Sequence, residues 1–406
     1  MNDQKKQSTA DLADQVIFET YGKRPLTLVK GSGCRVWDDS GKEYLDFVGG
    51  IAVCALGHCS PLVTKILDEQ SRTLVHVSNL YYTVPQVELA RLLVENSFAD
   101  RVFFCNSGAE ANEAAIKLAR RYTYETRGPG HHGIVCMENS FHGRTMATLS
   151  ATGQSKIRKG YDPLLDGFRF VPFNDLDRLD QAVDETVCAV MLEPIQGEGG
   201  VVVPKDGYLK GVEALCRERG VLLILDEVQV GSGRTGRLFA HEHYGIRPDM
   251  VTLAKAMGNG LPIGAMLAVE ALSRAFSPGS HATTFGGTPL VTAVAKGVLT
   301  SLIKDGWIDN ARDTGAYFKS ELERLKKTHS CIVDVRGLGL ILGVELDRPG
   351  APVVETCMSR GFLMNCTQEK VLRFLPPLIV TREEVDLLVH CLDDVLARFA
   401  EGTEMP

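Results

Sequence analysis

Several stretches of this chain stay apolar almost from end to end instead of alternating with polar residues. They are RVFFC (101–105), GIVCME (133–138), VCAVMLEP (187–194), VLLILDE (221–227) and MVTLA (250–254). A strand with one wet face shows a period of two, so a continuous run means that both faces are covered. FRFVPF (168–173) reads as a further strand. Between the runs lie helical stretches, about 108–125 with Ala111, Ala115, Leu118 and Ala119 on one face, and about 208–219. This alternation predicts an α/β fold with a mostly parallel sheet and helices on both of its faces. Ligands of such sheets bind beyond the carboxyl ends of the strands, so the residues just after each strand are where chemistry is sought.

After about residue 300 the pattern changes to long helices (about 309–327 and 382–400) around short strands near 332–346 and 371–377. That predicts a smaller α+β domain, with the strand-like segment CRVWDDSGKEYLDF (34–47) packed against it. The expected division is 51–300 for the larger domain, and 1–50 with 301–406 for the smaller. A chain of 406 residues exceeds what one core usually holds, which favours two domains. The net charge of -7 is interspersed along the chain, which argues against a nucleic-acid footprint. The N-terminal MNDQKKQSTADLADQ has no apolar core of a secretory leader, and no run approaches the roughly 18 apolar residues of a membrane span. Eleven scattered cysteines, an odd number with no CxxC, are expected to be free thiols, with Cys105, Cys188 and Cys216 as core residues. The cytoplasm is the expected location.

Four strand ends carry unusual chemistry. NSGAEANEAAIKLA (106–119) runs from a strand through Ser-Gly-Ala into a helix, whose free N–H groups and macrodipole make either an ordinary cap or an anion site. In FHGRT (141–145), Phe141 can cover a flat ring and Arg144 can clamp a carboxylate. In LDEVQVGSGRTG (225–236), Asp226 ends five apolar residues, so its carboxylate needs a partner. Lys255, at the end of MVTLA, stands where burial would lower its pKa and make it a nucleophilic amine. Each alone has a plain structural explanation: a capped helix, a core phenylalanine, a salt bridge, a snorkelling lysine. Together, an anion site, a ring cover, a carboxylate and an amine are the parts that hold pyridoxal phosphate.

GSGRTG (231–236) matches GxGxxG, the phosphate-binding turn of dinucleotide enzymes, but the context disagrees. Its first glycine comes five residues after Asp226, and RLFAHEHYGIRPD (237–249) leaves room for only a short helix before Gly245 and Pro248. The expected use of these glycines is a tight loop near a cofactor.

The run LDEVQVGSGRTG, then LAKAMGNGLPIGAM (253–266), then TTFGGTPL (283–290) resembles the class III aminotransferases of pyridoxal phosphate (PLP) fold type I, from about residue 28 to 396. The resemblance implies a mainly parallel seven-stranded sheet, a smaller domain built from both termini, and a homodimer with shared active sites. It makes Lys255 the lysine that bonds to the cofactor aldehyde and Asp226 the partner of the ring nitrogen. Gln229 would meet the ring hydroxyl, Val228 and Phe141 would sandwich the ring, and Ser107, Gly108 and Ala109 would bind the phosphate. Thr284 of the neighbouring subunit would complete that phosphate site.

VSNLYYTVPQVELA (77–90), FCNSGAEANEAAIKLAR (104–120) and SFHGRTMATLSATG (140–153) look most like the acetylornithine branch of that family. There Arg144 matches the arginine for the donor's α-carboxylate, with Thr283 nearby. Arg373 matches the one for glutamate and 2-oxoglutarate, and Glu198 the glutamate that pairs with it. Donors of the sister branches are ornithine, succinyl-diaminopimelate and 4-aminobutyrate. HATTFGGTPL (281–290) departs from the family's usual HGTTFGGNPL at Ala282 and Thr288, which bears on substrate preference and not on the cofactor.

Overall fold

The computed structural model describes residues 8–22 and 24–400. Residues 1–7 and 401–406, parts of the terminal segments expected in the smaller domain, lie outside the described residues, as does residue 23. The chain begins with strands β1 (Leu28–Ser32), β2 (Arg35–Asp38) and β3 (Glu43–Asp46), joined as antiparallel neighbours. The central sheet contains β4 (Arg101–Cys105), β5 (Gly133–Met137), β6 (Phe168–Val171), β7 (Val187–Leu192), β8 (Leu222–Asp226), β9 (Met250–Leu253) and β10 (Gly264–Ala268). Its order is β4-β10-β9-β8-β7-β5-β6, parallel from β9 through β6.

The continuous apolar runs behave as expected of doubly covered strands: every residue of β5, β7 and β9 is buried. The helix Gly108–Arg127 lays Ala111, Ala114, Ala115, Leu118 and Ala119 on the sheet. So many small side chains let its axis come close to the strands. Strand β10 was not anticipated from the sequence. It runs antiparallel between β9 and β4, and its GAMLA is wholly buried but too short and small-residue-rich to stand out beside the preceding glycines.

The C-terminal region supplies β11 (Ile332–Leu338), β12 (Ile341–Leu346), β13 (Phe362–Leu363), β14 (Asn365–Thr367) and β15 (Val371–Phe374). Four of these form a sheet of order β11-β12-β15-β14 against the helices Trp307–Thr328 and Arg382–Ala400, while β13 leaves to pair in parallel with β3. Backbone bonds from Phe47 to Leu363 and from Leu375 to Phe47 complete this junction of the two ends of the chain. Among the described residues no helix is long and apolar enough to cross a membrane, and all eleven cysteines are free thiols.

Candidate active site

The loops leaving β4, β5, β7, β8 and β9 enclose a cavity of about 480 Å³, within the usual range for a small-molecule site. Lys255 enters it directly after β9. Its φ of 42° puts it in the left-handed region, an uncommon state for a side-chain-bearing residue that aims it out of the strand's path. The residue keeps part of its surface open to the cavity, yet the atoms packed round the amine lower its pKa to about 8; nearby Glu198 resists that shift and Arg373 adds to it. An appreciable share of the amine is therefore neutral near physiological pH.

Asp226 is the last residue of β8 and is buried. Its Oδ2 accepts hydrogen bonds from Asn112 Nδ2 (2.7 Å) and His142 Nδ1 (2.8 Å), and its Oδ1 accepts one from the Val228 amide (3.0 Å). Asn112 is fixed in turn by Thr252 and by the His142 carbonyl. Burial pushes the His142 imidazole down, but the hydrogen bond and charge of Asp226 more than reverse this, so its pKa is raised. Three donors thus hold the carboxylate in one orientation. Asn112, His142 and Thr252 were not singled out in the sequence. The visible signals were a lone amide on an alanine-rich helix face and a histidine beside Phe141.

Phe141 and Val228 both line the cavity. A Cβ on Gly108 would stand 2.7 Å from a methyl of Val228, so any larger residue forces Val228 to shift. The Phe141 amide donates to Glu193 Oε2 (3.1 Å), a carboxyl that burial pushes up to about 7. At the other end Ser107 caps the helix, its Oγ accepting from the Glu110 amide at 3.1 Å. As in any first turn, the N–H groups of Gly108 and Ala109 have no partner within the helix, and with the macrodipole they offer an anion site. Arg144, at the cavity mouth, lies over the Phe141 ring at 5.5 Å.

Arg373, on β15, is almost fully buried, and its Nη1 donates to Glu198 Oε1 at 2.6 Å. Gln229 braces the pair, donating to Glu198 (3.1 Å) and accepting from Arg373 (3.2 Å), so both ends of its amide are engaged here. Burial raises the Glu198 pKa, but the charge and hydrogen bond of Arg373 outweigh it, and the net shift is downward. Glu198 and Gln229 line the cavity, whereas Arg373 does not.

Two groups of expected residues do not line this cavity within one chain, the first of which includes Thr284, expected from the neighbouring subunit. Within one chain Thr283 and Thr284 are not brought to this cavity; they line a second hollow of about 510 Å³ with Glu110 and Lys117, and Asn106 borders both. The GSGRTG loop is not near the ring site either. None of residues 231–236 lines the cavity, because the glycines are used for close packing elsewhere: a Cβ on Gly236 would stand 2.7 Å from Arg312, and one on Gly233 3.1 Å from Ile308.

The residues present fit PLP. A glycine-walled cleft between Val228 and Phe141 suits a flat ring, a helix start suits its phosphate, an oriented buried carboxylate suits a basic ring nitrogen, and a lysine of lowered pKa suits its aldehyde.

The profile of the family described as aminotransferase class-III matches residues 18–396. An acetylornithine aminotransferase of Caldanaerobacter subterraneus subsp. tengcongensis is 51% identical over 94% of this chain and 97% of its own length. One from Methanocaldococcus jannaschii is 50% identical over 95% of this chain and 97% of its own. Among solved structures, the ornithine aminotransferase of Toxoplasma gondii ME49 superposes with a TM-score of 0.94 at 35% identity, covering 98% of this chain and 97% of that one. The N-acetylornithine aminotransferase of Stenotrophomonas maltophilia K279a gives 0.82 at 40% identity, covering 95% and 99%.

Proposed function

Because the chain belongs to the class III aminotransferases, which use PLP, we propose that it moves the terminal amine of N2-acetyl-L-ornithine to 2-oxoglutarate. The products are N-acetyl-L-glutamate 5-semialdehyde and L-glutamate, a step of arginine biosynthesis. What supports this reading is two arginines set around one lysine, Arg144 lining the cavity and Arg373 paired with Glu198, which we take as its two carboxylate anchors. A donor and an acceptor with different demands can then use one cavity in turn.

PLP, when bound, supplies the electron sink for cleavage of the substrate's C–H bond. Asp226, oriented by Asn112 and His142, keeps the ring nitrogen protonated. Val228 and Phe141 hold the ring, and Ser107, Gly108 and Ala109 hold the phosphate. Lys255 Nζ takes the proton from the carbon bearing the amine and later returns it; an amine whose pKa lies near the working pH suits both tasks. Arg144 binds the α-carboxylate of the donor while Glu198 keeps Arg373 neutralised. When the acceptor enters, Glu198 swings away and Arg373 takes the α-carboxylate of 2-oxoglutarate.

In the same reading, residues 51–300 form the cofactor domain, and 1–50 with 301–406 the smaller one. The enzyme works as a homodimer in which Thr283 and Thr284 of one subunit reach the phosphate and donor ends of the other's site. Support comes from the exposed large apolar side chains Leu80, Tyr81, Tyr82 and Phe285, which a second subunit would cover. The cytoplasm agrees with the free cysteines.

The likeness to the Toxoplasma enzyme makes free ornithine the second candidate donor. Steady-state rates with N-acetylornithine, ornithine, succinyl-diaminopimelate and 4-aminobutyrate decide. N-acetylornithine is expected to give the highest kcat/KM; a clear preference for another donor would refute the assignment. Arg373→Ala is expected to damage the 2-oxoglutarate half-reaction far more than the donor half.

A further inference from the structure

The GSGRTG loop is left without a role by the cofactor site, yet it holds Arg234, which with Arg373 is one of the two largest fully buried side chains of the described residues. Its guanidinium meets no carboxylate among the described residues. Nη1 donates to the carbonyls of Leu340 (3.0 Å) and Pro376, while Nε and Nη2 have no partner among the described residues. Burial pushes the group down to about 9, still charged at neutral pH. Burying a cation with two idle donors is costly. A chain that needed only packing there would do better with an apolar side chain.

What the group joins is specific. Leu340 lies in the turn between β11 and β12, and Pro376 comes two residues after β15. Strand β12 is the neighbour of β15, with Gly343 opposite Arg373. The loop itself comes directly after Gln229, whose amide touches both Arg373 and Glu198. The clamp is double: the Arg234 carbonyl accepts from the Leu340 amide at 2.9 Å. Gly339 permits that approach, since a Cβ there would stand 2.5 Å from the Arg234 oxygen.

We propose that Arg234 is a positioning residue for the 2-oxoacid half of the reaction. It ties the segment carrying Asp226 and Gln229 to Arg373's own strand and to that strand's neighbour, and so sets the distance between the acceptor's carboxylate anchor and Lys255. Asp226 keeps its orientation through Asn112, His142 and the Val228 amide, and Arg144 leaves β5 on another loop outside this clamp, so the donor half is spared. The inference rests on Arg373 being the acceptor anchor, as proposed for the function.

The test uses the PLP-loaded enzyme with Arg234→Lys, which keeps the charge and loses the fork, and with Gly339→Ala, which keeps the guanidinium and drives the turn off its carbonyl. Two quantities are measured: binding of glutarate, an unreactive dicarboxylate, by calorimetry, and KM for 2-oxoglutarate and L-glutamate against the rate of the N-acetylornithine half-reaction. A misplaced anchor is expected to weaken glutarate and raise both KM values by roughly 10- to 100-fold, with kcat and the donor half-reaction changed far less. Equal loss in both halves, or unchanged dicarboxylate binding in whichever variant folds, would overturn the proposal. Wild-type enzyme that reacts with L-glutamate but not with N-acetylornithine would sink the donor assignment alone, since glutarate and glutamate test Arg234 without it.

Discussion

Replacing Glu198 with glutamine tests the idea that Arg373 is masked until the acceptor arrives. In the resting site the Glu198 carboxylate sits 2.6 Å from the Arg373 guanidinium and also accepts from Gln229. Two unit charges about 4 Å apart, in surroundings of effective dielectric near 20, attract by about 4 kcal/mol. The acceptor's carboxylate must break that pair before forming its own. Glutamine keeps an oxygen for the hydrogen bond but removes the charge, so a part of that energy, about 1.4 to 2.8 kcal/mol, returns to the acceptor as a 10- to 100-fold lower KM. The side chain is only about a quarter exposed, so solvent screens the pair modestly. The donor half moves the other way: an unmasked Arg373 competes with Arg144 for the donor's carboxylate and misplaces its terminal amine. Stopped-flow measurement of the two half-reactions with Glu198→Gln reads both effects. An unchanged or raised KM for 2-oxoglutarate would show that Glu198 does not mask Arg373, and the switching argument would fail.

Further predictions concern the cofactor end. With Lys255 as the proposed cofactor-bonding amine, uptake of PLP by the apoprotein needs it neutral, so its rate is expected to rise with pH up to about 8 and then level off, and a rate flat from pH 6 to 9 would contradict the lowered pKa. Asp226→Asn removes the charge that His142 answers inside a buried network; a stability loss of about 3–5 kcal/mol and a turnover loss of at least a hundredfold are expected from denaturant melts and steady-state rates. Gly108→Ala puts a methyl 2.7 Å from Val228 and should weaken PLP binding by fluorescence titration, with Val228→Ala added in the same chain restoring part of it.

The strands that set the site were legible because covering both faces leaves a continuous apolar signature, as in VCAVML and the stretch ending at Asp226. The same rule places Asp226 at a strand end and Lys255 just beyond one from the sequence alone. The helix Pro289–Lys304 stayed hidden for the opposite reason: it is apolar on nearly every side, so no 3.6-residue period stands out. Contacts between residues far apart in sequence left no local trace. Asn112 and His142 meet Asp226 from 114 and 84 residues away, and nothing beside either announces it. Glu193, read only as the end of a strand, holds the Phe141 amide through a carboxyl that is perturbed mainly by burial. GSGRTG misled in a more instructive way. Its glycines signalled close approach correctly, but what approaches Gly233 and Gly236 is the helix Trp307–Thr328, not a ligand. A glycine pattern reports how near a neighbour comes, and only the fold says which neighbour.

The central claim is a lysine-bound cofactor that accepts an amine from N-acetylornithine and yields it to 2-oxoglutarate. The most direct measurement is the visible absorbance of the purified, PLP-loaded protein through one cycle. The account predicts a yellow band that bleaches on adding N-acetylornithine alone, returns on adding 2-oxoglutarate, and is missing its normal form in a folded Lys255→Ala protein. A yellow protein that N-acetylornithine leaves unchanged would contradict the donor; a protein that takes up no PLP, or a Lys255→Ala variant that cycles as the wild type does, would contradict the site itself.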